Sequence, residues 1–151
     1  MRFGFSAAAA LLLAASSGHA LAQTASAPLP ASVTSNLPRT ARPLHYRIDV
    51  RPDAEKLTFS GTASITLVVY QPSATLTLNA NELTIASATL TPASGKGAPV
   101  TLGARLDPAA EQVHFTASRP IRPGTYRLDV AYSGKINTQA NGLFALDYPD
   151  K

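Results

Sequence analysis

The chain has 151 residues, a formal net charge of +4, 45% hydrophobic residues, and neither cysteine nor tryptophan. Disulfides, thiol chemistry and cysteine-ligated metals are excluded, so burial of apolar side chains has to hold the fold. The charge is modest, and it falls by one if Arg2 is removed with a leader, so nothing argues for binding nucleic acid.

The first residues have the three parts of a secretory signal peptide: Arg2, an apolar run from Ala7 to Ala15, and the small-residue site Ala20-Leu21-Ala22. This predicts a signal peptide over 1–22, cleavage before Gln23, and an exported protein, periplasmic or secreted. The run is too short and too Ala-rich to cross a membrane, so no span is expected in the mature chain. Residues 23–36, rich in Ala, Ser, Thr and Pro, read as a flexible lead-in. Residues 37–151 then form one domain, since on the order of 110 residues supports one core but not two.

After residue 44 the periodicity is two. Tyr46, Ile48 and Val50 alternate with Arg47, Asp49 and Arg51, giving a first strand. Pro52-Asp53-Ala54-Glu55-Lys56 carries the chemistry of a turn longer than two residues, predicting an antiparallel hairpin. From Leu57 to Tyr70 the odd positions Phe59, Gly61, Ala63, Ile65, Leu67 and Val69 are apolar or small, and Thr or Ser fills the even ones as far as Thr66. Val68 and Tyr70 break the alternation, predicting that this end is covered on both faces. Further strands are read at Thr75 to Asn79, Leu83 to Leu90, Val100 to Leu106, Gln112 to Thr116 and Thr125 to Tyr132. No helical stripe follows the leader, and Pro120 and Pro123 oppose a helix before the last strand. The fold class is therefore all-β, an antiparallel sandwich of about seven or more strands.

The residues offer no catalytic constellation. His45 and His114 fall on the polar sides of their strands, in no spacing that brings two ligands to one metal, and read as solvated side chains. The carboxylates are scattered; Glu82, in Asn79-Ala80-Asn81-Glu82, is either a turn residue or a group facing a cleft. Serines lack a nucleophile elbow, and Gly95-Lys96-Gly97 lacks the rest of a phosphate loop. Arg39, Arg42, Arg47 and Arg51 either dock an acidic partner or solvate the lead-in and first strand. No catalytic, cofactor-binding or metal-binding residue is assigned.

The order of landmarks carries more. Leu37-Pro38, then Pro43-Leu44-His45-Tyr46 with Ile48 and Val50, Phe59-x-Gly61, Leu78-Asn79-Ala80 before Glu82-Leu83-x-Ile85, and Gly124-x-Tyr126-x-Leu128-x-Val130-x-Tyr132-x-Gly134 resemble the N-terminal domain of the aminopeptidase N family of zinc metallopeptidases. Asn141-Gly142-Leu143-Phe144 through Tyr148 is similar to the segment that follows, with Leu146 where that family commonly has Ser. The resemblance covers about residues 37 to 148 and implies a β domain that packs on a catalytic domain and helps cap its active-site cavity. It implies zinc only for the full-length family, because the G-x-M-E-N loop and H-E-x-x-H helix are absent here. The expected partner is a catalytic metallopeptidase domain, in cis or as a separate chain, with peptides as further candidates. The other reading is a free-standing exported sandwich that binds a peptide, glycan or protein.

Overall fold

The computed structural model describes residues 28, 30–140 and 142–146, so the expected leader and Tyr148 lie outside the described residues. It contains eight strands: β1 (Ala41–Asp53), β2 (Thr58–Val69), β3 (Ser73–Asn79), β4 (Leu83–Pro92), β5 (Val100–Thr101), β6 (Gly103–Asp107), β7 (Gln112–Ile121) and β8 (Gly124–Lys135). They form a five-stranded sheet in the order β1-β2-β8-β4-β5 and a three-stranded sheet in the order β3-β7-β6, every pairing antiparallel. The expected all-β sandwich is what forms.

Its core is the set of side chains that the period of two sends between the sheets. Ile65, Leu67 and Val69 from β2, Ala88 and Leu90 from β4, and Leu128 and Val130 from β8 form one cluster with Leu76 from β3 and Val113, Phe115 and Ala117 from β7. Phe115, Leu128 and Val69 are the largest wholly enclosed side chains. Val68, on the opposite face of β2, is buried as well, which fits the reading that this end is covered on both sides.

Two hairpins close in the same way. In the turn from β1 to β2, Asp53 Oδ1 accepts the Lys56 backbone N–H at 3.0 Å, and Leu57 takes a left-handed φ of 49°. In the turn from β6 to β7, Asp107 Oδ1 accepts the Ala110 N–H at 3.2 Å, and Glu111 has φ 53°. An aspartate that caps its own turn supplies the bond the ladder cannot make there.

The segment expected as one strand from Val100 to Leu106 is two. Val100 and Thr101 pair with β4 in the larger sheet, and Gly103 to Asp107 pair with β7 in the smaller. Leu102 is the corner: its side chain is buried and its N–H reaches Ala88 O at 2.9 Å. A single apolar side chain turned into the core lets the chain cross between sheets. β7 also outruns its expected end at Thr116 and reaches Ile121, because an irregularity opposite β3 absorbs the extra residues, Pro120 among them.

Where β2 meets β8, Phe59 lies opposite Gly134 and Tyr132 opposite Gly61. The two rings meet edge to face, 6.3 Å between centroids and 76° between planes. A Cβ on Gly61 would come within 2.8 Å of the Tyr132 ring and 2.7 Å of Asp49 O, and one on Gly134 within 2.5 Å of the Phe59 ring. Both glycines are there for room. Gly61→Val is expected to destabilise the domain by about 1–3 kcal/mol, read as a lower denaturant midpoint. Leu128→Ala, which empties the centre of the core, is expected to cost about 2–5 kcal/mol.

Candidate functional surfaces

Among the described residues no three His, Cys, Asp or Glu side chains come together. His45 is exposed on β1, and His114 sits on β7 in the other sheet. His114 is not the plain solvated side chain expected. Its Nδ1 lies 3.1 Å from Thr77 Oγ1 on β3, and its Nε2 lies 4.0 Å from Asp107 Oδ2 on β6. It bonds to β3 and comes close to β6 across the outer face of the smaller sheet, a placement that strand pairing alone brings about.

The outer face of the larger sheet is paved with short hydroxyl side chains, as the even positions of β2 foretold. Asp129 on β8 accepts the Ser64 hydroxyl at 2.7 Å and Arg127 Nε at 2.9 Å. Partial burial pushes its carboxyl up, but the Ser64 hydroxyl and the Arg127 guanidinium pull harder, and its pKa lies below the ordinary aspartate range. At one end of this face an open groove of about 720 Å³ is lined by Arg51, Asp53, Phe59, Glu82 and Lys135 among others. Glu82 fulfils both readings: it is an exposed turn residue with φ 53°, and it borders that groove. Asp53, at the same end, is held below its ordinary pKa by hydrogen bonds from the Lys56 side chain and backbone.

The basic stretch divides. The Arg39 guanidinium donates to Pro30 O at 2.6 Å and to Val33 O, fastening the segment ahead of β1, while Arg47 lies 3.8 Å from Asp49. Gln112 holds the same segment by donating to Asn36 O at 3.3 Å.

Two apolar features stay in water. The first is the inner row of β1, where Tyr46, Ile48 and Val50 are 49%, 58% and 46% exposed. Their alternation places them on the core-facing side, yet β1 packs essentially on β2 alone, because the three-stranded sheet does not reach across to it. The second follows β8. There Ile136 N–H bonds to Leu57 O, and bonds from Asn137 N to Leu143 O and from Ala145 N to Asn137 O bring Leu143 and Ala145 back beside Asn137. Leu143 and Leu146 project from this loop, the latter 63% exposed. Neither exposure is readable from residue pattern, since both depend on what fails to cover the strand or loop.

Residues 42–151 match the family described as Peptidase M1 N-terminal domain. Aminopeptidase N of Acetobacter pasteurianus is 34% identical over 114 residues, covering 74% of this chain and 30% of that protein. Aminopeptidase M1-C of Oryza sativa subsp. japonica is 30% identical over 118 residues, covering 78% and 13%. Endoplasmic reticulum aminopeptidase 1 of Homo sapiens is 28% identical over 117 residues, covering 76% and 12%. The chain thus spans less than a third of the length of these relatives.

Asp53 and Asp129 both have folded pKa values below their unfolded ones, so their contribution to stability is present above the unfolded aspartate pKa and lost as pH falls through the folded values. Thermal stability is expected to drop on acidification below about pH 4. Asp129→Asn should flatten part of that acid limb in melts recorded across the range.

Proposed function

The chain belongs to the Peptidase M1 N-terminal domain family, and on that premise we propose that it is the non-catalytic β domain of an exported zinc aminopeptidase. In this reading it packs on the catalytic portion and helps close the cavity in which residues are removed from peptide amino termini. The observation that carries the reading is the match over residues 42–151 in a chain that spans only 12% to 30% of relatives named as aminopeptidases. The sequence order of Arg2, the Ala7 to Ala15 run and Ala20-Leu21-Ala22 supports export.

The described residues do not fit a zinc site. His45 and His114 belong to different sheets, and no group of three donors forms. In this reading the domain's contribution is mechanical: a sandwich whose surfaces meet a neighbour. Leu143 and Leu146, exposed on the loop after β8, supply apolar area for such a contact.

The test is to mix this chain with the separately purified catalytic portion of a relative, such as the Acetobacter enzyme, and to follow release of an amino-acyl chromophore. The chain alone is expected to release none with or without added zinc, and to bind and activate the catalytic portion. Leu143→Asp with Leu146→Asp should weaken that binding by about tenfold or more. Turnover by the chain alone, or no binding to any such portion, would overturn the reading.

A further inference from the structure

Among the described residues β1 is the edge of the larger sheet and pairs with β2 alone, so its other backbone edge can take a further strand. Natural edges are usually guarded by charge, and the part of this one from Arg47 to Asp53 carries four charges in a particular order. Along the outer row of β1 stand Arg47, Asp49, Arg51 and Asp53. Read backwards, the same row has every sign exchanged. A second copy laid antiparallel, with Val50 on the two-fold axis, therefore sets Arg47 opposite Asp53 and Asp49 opposite Arg51, and the reciprocal pairs with them.

That register also keeps the faces consistent. Val50 meets Val50 and Ile48 meets Pro52, so the exposed apolar row of one copy continues into the other. Moving the axis by one residue, to Asp49, sets Asp49 against Asp49 and Arg47 against Arg51, both repulsive, and leaves Asp53 facing His45. With Ile48 on the axis, only the Arg47 and Asp49 pairs remain, and Arg51 faces His45.

We propose that this chain forms a two-fold dimer by edge-to-edge pairing of β1 with β1 of a second copy, joining two five-stranded sheets into one. Contact of Ile48 with Pro52 and of Val50 with Val50 favours it, as do the four Arg–Asp pairs, two of which share Asp53 with the Lys56 ammonium that already bonds it at 2.7 Å. Pro52 supplies no donor and the ladder is short, so association belongs in the micromolar range rather than below it. The surface is distinct from the Leu143 and Leu146 loop, and the inference does not rest on the aminopeptidase reading.

Arg51→Asp and Asp49→Arg test it by light scattering after gel filtration, at about 100 µM, well above a micromolar dissociation constant. Both side chains are exposed, and circular dichroism verifies that each variant is folded. The wild type is expected to run as a dimer and each variant alone as a monomer, association falling at least about tenfold. Mixed one to one with different tags, the two variants should recover a heterodimer, because all-Asp and all-Arg positions 49 and 51 then face each other. A monomeric wild type, a dimer that survives Arg51→Asp, or a mixture that stays monomeric would each overturn the proposal. Arg51→Asp alone also reads the register, since with Ile48 on the axis its Arg47 and Asp49 pairs would be untouched and the dimer would survive.

Discussion

The structure depends on the inner face of β8. That strand lies between β2 and β4 and pairs with both along most of its length, so its apolar row of Tyr126, Leu128, Val130 and Tyr132 is the middle of the larger sheet. Leu128 is wholly enclosed, in one cluster with Phe115 of the opposing sheet. Removing apolar surface on this scale from water is the main source of stability in a chain without disulfides. The strand also dictates where glycine is required: Tyr132 can cross Gly61, and Phe59 can cross Gly134, only because those positions carry no Cβ.

Two sheets of unequal width create the second feature that matters. Three strands cannot cover five, and the strand left over is β1. It keeps a full period-two alternation, with an apolar row facing a space that the smaller sheet does not fill. A strand wetted on both faces has no use for that row, whereas one meant to be covered has. The alternating charges on its other face are compatible with water and complementary to their own reversal, so solubility and selective pairing are served by the same residues.

Membership in an aminopeptidase-associated family sits easily with a domain in which no donor cluster forms among the described residues. The polar groups that do meet, Ser64 with Asp129 and Arg127, or Thr77 with His114 and Asp107, are cross-strand contacts on outer sheet faces. They stiffen sheets. In the proposed role rigidity is the useful property, because a flexible wall would not define a cavity.

The all-β class, the hairpin between β1 and β2 and the core faces of β2 and β8 were legible from residue order alone, because side chains on a regular strand alternate between its two faces. Leu102 as a corner, the run of β7 past Pro120 and the partners of His114 were not, since an apolar residue in a strand pattern looks the same whether its strand continues or changes sheets. Least legible was the exposure of Tyr46, Ile48 and Val50. Sequence by itself determined which side of each strand is apolar; only the tertiary structure decided which of those sides is covered, because burial depends on how many strands the opposing sheet has and where it stops.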